Sequence, residues 1–363
     1  MWHSVHLTYY EPHKEALLLD AVFPALHEVC EELGVARRAY ARRHWLFGPH
    51  IRINLDASAD DFAENLWPRL EGRFARYVTA VPSRYHLDPI EYDRISRESG
   101  QAELTLGPYA PLRQDNSVCL APYEARAELL GGTIMVEEME RYLAGTRALV
   151  WDLLRLTRGN ESARRSMLFG CMILIAVLYA DEGLRFGHLS FRSHAEAFLS
   201  TAAPSLREQH LRIRDRLLPS MVHLASRILE SVRGGRYVGT DPFLRRWSHY
   251  HHESYQAYLL LSQQRSIPSH ARLAQEYAGA NGGFTFFQRT DLLPQTEFHA
   301  NASVAMHRLA QAPAFDAYRL LLNFFYMNLP LFSVNAPTRY LLCLLVAEAS
   351  EHILGESWRT ILS

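Results

Sequence analysis

Hydrophobic and polar positions change rhythm along this chain. From Trp2 to Tyr10 they alternate, with Val5, Leu7 and Tyr9 set against Ser4, His6 and Thr8, the period-two pattern of a strand with two unlike faces. From Lys14 to Leu33 the apolar residues Leu17, Leu18, Val22, Leu26 and Val29 recur near helical spacing, which predicts a helix that Gly34 ends. Tyr40 to Leu55 returns to extended structure, punctuated by Gly48-Pro49. Its last part sets Ile51, Ile53 and Leu55 on one face and His50, Arg52 and Asn54 on the other. Asp60 to Tyr77 reads as helix. Residues 84–120 are loop-rich, with short strands expected at Ala102 to Leu106 and Ser117 to Leu120.

Beyond Pro122 the period is helical throughout. Helices are predicted over Glu124 to Leu156, Ser162 to Tyr179, Ser193 to Phe198, Leu206 to Val232 and Asp241 to Ser262. Three more follow at Ala302 to Leu309, Phe315 to Leu329 and Pro337 to Leu354, and Gly234-Gly235 and Gly282-Gly283 mark turns. The pattern predicts an α+β fold, a small N-terminal mixed sheet with helices followed by a long predominantly helical portion. The change is placed between residues 1–121 and 122–363. No internal repeat or low-complexity segment is visible.

Charge and composition narrow the classes. A formal net charge of −1 excludes the broad basic footprint of a protein whose main partner is nucleic acid. Cys30, Cys119, Cys171 and Cys343 lie far apart without CxxC spacing, so they read as reduced thiols and not as a disulfide framework or a thiolate metal site. The start MWHSVHLTYY lacks a basic segment followed by an apolar one, and the run Leu168 to Ala180, about thirteen residues, is too short to span a bilayer. A cytoplasmic protein with no membrane partner is expected. Lys14 is the only lysine, placed among Glu11, His13 and Glu15 at a helix start. That setting predicts an ordinary solvated amine, which argues against Schiff-base catalysis.

Standard signatures are absent: no dinucleotide fingerprint, phosphate-binding loop, nucleophile elbow or HExxH. His249-Tyr250-His251-His252-Glu253 invites a metal hypothesis, since His249 and His252 could share a helix face, but a solvated histidine cluster is the simpler reading and no metal or cofactor is assigned. In His299 to Arg308, Ser303 and His307 are four apart, a spacing that allows an acid–base or anion-binding pair on one helix face. Arg52, beside His50 on its strand's polar face, is placed to grasp a carboxylate or a peptide carbonyl. Phe284 to Phe287, Phe324-Phe325-Tyr326 and Trp45 near Phe47 could line an apolar planar pocket, though such stripes are more often core.

The run Arg43-His44-Trp45-Leu46-Phe47-Gly48-Pro49-His50-Ile51-Arg52-Ile53-Asn54 resembles the start of the C-terminal domain of class I lantibiotic dehydratases, and His299 to Leu309 resembles that family's late histidine–arginine helix. The resemblance spans most of the chain, as a stand-alone form without the glutamylating part. Stand-alone members of the family serve thiopeptide-type pathways. Some eliminate glutamate from glutamylated serine; others are pyridine synthases, joining two dehydroalanines in a formal aza-[4+2] cycloaddition with loss of water and leader peptide.

Two departures choose between them. Eliminating members show H-x-R-x-R in the strand, and here Asn54 stands at the second arginine. They also show H-M-x-x-N-R in the late helix; aligned on Arg308, this chain has Ser303 at the histidine position and His307 at the asparagine. Elimination needs a base for the α-proton and cations for the leaving carboxylate, and both are weakened. Cycloaddition relies chiefly on proximity, with hydrogen-bonding groups to hold an iminol and move protons.

The resemblance therefore implies a pyridine synthase. Arg52 and Arg308 would polarise carbonyls, Ser303 and His307 would handle protons, and His50, Tyr92 and Arg289 would bind substrate. No cofactor is implied. The expected partners are a modified precursor peptide with its leader, recruited by strand addition to the sheet edge, and other pathway enzymes. A glutamate-eliminating component of a split dehydratase, and a silent scaffold that only binds the precursor, are the alternatives.

Overall fold

In the computed structural model, residues 1–102, 105–180, 182–269, 296–302 and 312–363 are described. They divide into two compact units, one holding Met1–Arg158 with Met327–Ser333 and the other the remaining helical residues.

The first unit is built on a four-stranded sheet. Strands β1 (Trp2–Thr8), β2 (Arg38–His44), β3 (His50–Asp56) and β4 (Ser117–Ala121) lie in the order β2-β3-β1-β4. The expected α+β class holds, with one correction: every pairing is antiparallel, so the sheet is not mixed. The reason is the connection. A helical run over 15–32, α-helical turns alternating with π turns, separates β1 from β2. The hairpin then inserts β3 between β1 and β2, so β1 and β2, which run the same way, never pair.

Alternation decides the faces. Val5, Leu7, Ile51, Ile53, Leu55, Ala39 and Ala41 are all buried, together with Leu18, Val22 and Leu26 of the first helix. Leu66, Leu70 and Phe74 of a second helical run over 59–80 join them, and the two runs touch. This is the apolar side that period-two patterning predicts.

Within Tyr40 to Leu55 the punctuation at Gly48-Pro49 falls in the turn, at 45–49, of a β2–β3 hairpin. The next segment needs correction. Within the loop-rich 84–120, Pro89–Ala102 forms a helix; of the strand expected at Ala102 to Leu106, residues 103–104 lie outside the described residues and 105–106 are irregular. That helix has weak apolar periodicity and is laced instead by ion pairs three and four apart, Arg94 with Glu91 and Glu98, and Arg97 with Asp93.

The second unit is helical. Leu184–Thr201 packs along Ala336–Leu354, which also receives Pro204–Glu230. A Cβ on Gly187 would stand 1.9 Å from the carbonyl oxygen of Ala176, so this glycine permits the close approach of neighbouring backbone. Phe324 and Phe325 are core residues, not pocket walls. Gly234-Gly235 turns a two-residue hairpin as expected. No helix among the described residues is long and apolar enough to cross a membrane.

Candidate functional site

The sheet's other face is polar yet largely covered: Ser4, His6, Thr8, His50 and Asn54 are each at most 5% exposed. Register brings them together. Arg52 of β3 lies between His6 of β1 and Arg42 of β2, and His50 lies between Thr8 and His44. The His6 and His50 rings stack at 4.6 Å, and His44 meets His50 at 5.4 Å. Three imidazoles and two guanidiniums thus share one patch, joined from a loop by Arg113, whose Nη1 lies 2.7 Å from His6 Nδ1.

Hydrogen bonds fix where the imidazole protons sit. His50 Nδ1 donates to the Gly48 carbonyl at 2.8 Å, which leaves Nε2 to accept from Arg52 Nε at 3.4 Å. His44 Nδ1 accepts from the Leu46 amide at 3.1 Å. His6 Nδ1 accepts from Arg113, since a guanidinium only donates. The His6 Nε2–H is therefore a buried donor, and it has no partner among the described residues.

All three rings are held neutral. Burial, followed by the charge of Arg52, Arg113 and Lys14, pushes His50 down to about 3 against the partial support of the Gly48 carbonyl. His6 and His44 are lowered further, first by burial and then by each one's neighbouring histidine and arginines. The acid facing this patch is Glu124, whose Oε2 lies 3.1 Å from Arg52 Nη1. Glu124 is half exposed and Arg52 nearly covered, so an incoming anion or carbonyl can compete for the guanidinium.

The hairpin turn supports the patch. Tyr92, from Pro89–Ala102, donates to the Trp45 carbonyl at 2.7 Å, and the Trp45 ring stacks on His44. Phe47 and Gly48 take positive φ, and a Cβ on Gly48 would meet the Tyr10 ring at 2.9 Å. Arg113 N donates to the Phe47 carbonyl at 2.9 Å, while the Tyr10 hydroxyl donates to the Arg113 carbonyl. A cavity of about 330 Å³ opens beside His44 and Glu124, lined also by Leu46, Thr105, Leu106 and Leu129.

Lys14 corrects the sequence reading. It is 1% exposed, donates to the carbonyls of Tyr9 and Glu11, and is pushed down to about 7, mainly by burial and secondarily by Arg43. It is a desolvated amine after all, yet its nitrogen is sealed among carbonyls and no substrate carbonyl can reach it. The histidine run also divides: His251 is core, His249 pairs with Glu253 at 3.2 Å, and His252 accepts from Arg236. Among the described residues no group of three or more histidine, cysteine or acidic side chains, the three imidazoles of the patch included, is arranged to hold a metal ion.

Of the residues singled out from the sequence, His50 and Arg52 are adjacent at the centre of the patch and Tyr92 reaches it through Trp45. Ser303, His307, Arg308 and Arg289 lie outside the described residues, as do the turn at Gly282-Gly283, the run Phe284 to Phe287 and most of the helix expected at Ala302 to Leu309. Sequence reasoning missed His6, His44, Arg42 and Arg113. His6 was within reach, because alternation already placed it on the polar face of β1.

Residues 2–350 match the family model for the C-terminal part of the lantibiotic biosynthesis dehydratase. The chain belongs to that family. Among solved structures it is similar over 98% of its length to the pyridine synthase TbtD from thiomuracin biosynthesis, covering 99% of that chain at 23% identity with a TM-score of 0.75. It is also similar over its whole length to TsrL, covering 97% of that chain at 19% identity with a TM-score of 0.70. These likenesses show a shared fold. No curated protein matches the chain. On the polar face, Asn54 puts a neutral, buried amide between Ser4 and Tyr40.

Proposed function

We propose that this chain is a pyridine synthase of thiopeptide-type ribosomal peptide biosynthesis. The observation that carries the reading is the full-length likeness to TbtD, end to end in both chains, for a member of the dehydratase C-terminal family. The neutral Asn54 supports it. The reaction joins two dehydroalanines: one, with its neighbouring amide held as the iminol, supplies the azadiene, and the other supplies the two-carbon partner. Two ring bonds form, and loss of water and of the leader peptide then leaves the aromatic ring.

The polar patch suits such chemistry. Arg52 polarises a substrate carbonyl, the unpartnered His6 Nε2–H offers a donor in the same wall, and His50 and Tyr92 hold the geometry. Arg308 is assigned a second carbonyl, Ser303 and His307 the proton transfers, and Arg289 a substrate contact. A cycloaddition gains most from holding both alkenes in one pocket. The leader pairs with β4, the sheet edge that has no further strand beside it among the described residues and that exposes Leu120.

One observation favours glutamate elimination instead. Arg42 faces Arg52 across the β2–β3 pair, so a second cation is present from another strand. Arg52→Ala and His307→Ala, assayed for ring formation on a dehydroalanine-bearing precursor, test the proposal. Either change is expected to reduce turnover at least 100-fold, in line with the loss of a preorganised donor or a proton carrier. Unchanged pathway output from both variants would mean a precursor-binding scaffold.

A further inference from the structure

The cavity beside His44 is bordered by a donor and an acceptor that the sheet leaves unused. The Leu46 amide donates to His44 Nδ1 at 3.1 Å, so the neutral ring keeps its own proton on Nε2. That N–H has no hydrogen-bond partner among the described residues. Unlike His6 Nε2 it is not sealed, and His44 is partly exposed. The Trp45 ring, 5.6 Å away and 12° from parallel, and the His50 ring at 5.4 Å set the plane of the imidazole. Glu124 supplies the acceptor. Its Oε2 takes the Arg52 bond at 3.1 Å, its Oε1 takes none among the described residues, and half of the side chain is open. Both residues border one space of about 330 Å³. Short contacts also link them along the wall: Glu124 to Arg52, Arg52 Nε to His50 Nε2 at 3.4 Å, and the His50 ring to His44.

The remaining lining selects what can enter. Leu46 and Leu129 make it apolar together with Leu106, which is 90% exposed and so stands at the rim. The charges around the space balance, Glu124 and Glu128 against Arg126, with Arg52 on the far oxygen of Glu124. A carboxylate entering here meets two acids, and an ammonium meets an imidazole N–H and two guanidiniums. A neutral group that offers one acceptor and one donor avoids both penalties and satisfies His44 and Glu124 together. The volume lies at the small end of ligand pockets. All of these residues belong to the first compact unit.

We propose that this cavity is a subsite for one neutral, acylated residue of the substrate peptide. A carbonyl of that residue accepts from His44 Nε2–H, its amide N–H donates to Glu124 Oε1, and its side group lies against the three leucines. The occupant is a dehydroalanine, which is uncharged, planar and tipped by an apolar methylidene group. That last assignment rests on the pyridine-synthase reading; the recognition of a neutral amide does not. His44 thereby becomes a substrate-binding residue, and Glu124 serves Arg52 with one oxygen and the substrate with the other.

Nuclear magnetic resonance of the full chain with nitrogen-15-labelled histidine tests this. The probe is acetyl-dehydroalanine methylamide, and the free acid acetyl-dehydroalanine is its charged counterpart. The amide is expected to shift the His44 Nε2 signal, identified with His44→Phe, and the acid to bind about tenfold more weakly because the two glutamates repel it. His44→Phe keeps an aromatic ring but removes the donor, and should weaken amide binding about tenfold. Leu106→Trp, at an exposed position, closes the rim and should weaken it by as much, about tenfold. Arg233→Gln, on an exposed turn, should change nothing. Should His44→Phe fail to fold, Leu106→Trp decides, with affinity read on the probe's own signals. Acid binding as tight as the amide, a His44 signal indifferent to the amide, or full affinity in Leu106→Trp overturns the proposal. Ring formation on a dehydroalanine-bearing precursor is read separately. No ring while the amide still binds at His44 removes the pyridine-synthase reading and keeps the subsite; a ring with the His44 signal unmoved does the reverse.

Discussion

At the scale of single residues, the chemistry of this chain lies in charges that burial has altered. Lys14 is the clearest case. An unfolded chain keeps the lysine proton up to about 10.5, whereas the folded chain releases it at about 7. Between those values unfolding takes up a proton, so raising the pH favours the folded state. The penalty of burying the charged amine acts in full below pH 7 and fades as the pH approaches 10.5. Lys14→Met removes the effect. Urea unfolding at pH 7 and 9.5 should show the wild type gaining about 3 kcal/mol on the variant over that interval. Parallel profiles for the two chains would show that the amine is not desolvated. The same residue marks a limit of sequence reading. Glu11, His13 and Glu15 around it suggest solvent, and only the folding-back of its side chain onto the carbonyls of Tyr9 and Glu11 buries it.

At the scale of elements, the β2–β3 hairpin holds the candidate site. Gly48 has φ +107, its carbonyl fixes the His50 tautomer, and Tyr10 fills the space beside it. Gly48→Ala should cost about 1–3 kcal/mol through backbone strain and the clash with Tyr10. It should also depress activity, because the His50–Arg52 contact moves with the turn. An unchanged urea midpoint would contradict this. The open edge at β4 carries a separate expectation: deleting the leader from the precursor weakens binding to the protein, and equal affinity for leaderless and full precursor would count against strand addition there.

Legibility at this scale followed periodicity. The face of His50, Arg52 and Asn54 was readable because period two is strict from His50 to Leu55 and buries Ile51, Ile53 and Leu55 completely. The start of the hairpin turn was hidden, although Gly48-Pro49 marked its end, since Trp45-Leu46-Phe47 is apolar and Phe47 adopts a positive φ more usual for glycine or asparagine. Pro89–Ala102 was hidden for the opposite reason, its helix being marked by charge pairs and not by an apolar stripe. Arg113 reaches His6 along a loop whose path depends on Tyr10 and Asp115, which no local pattern reveals.

At the scale of the whole molecule, the chain holds two compact units, and the polar cluster around Arg52 belongs to the sheet of the first. The family is shown by a match that runs through nearly the entire chain, and the TbtD likeness is equally long. The pyridine-synthase reading is a claim about that whole, and a single assay addresses it. Purified protein is mixed separately with a cognate precursor bearing dehydroalanines and with one bearing glutamylated serines, and the products are weighed by mass spectrometry. The account predicts a new ring with release of water and leader from the first, and no change in the second. Loss of glutamate from the second, with the first untouched, would contradict it and make this chain an elimination enzyme.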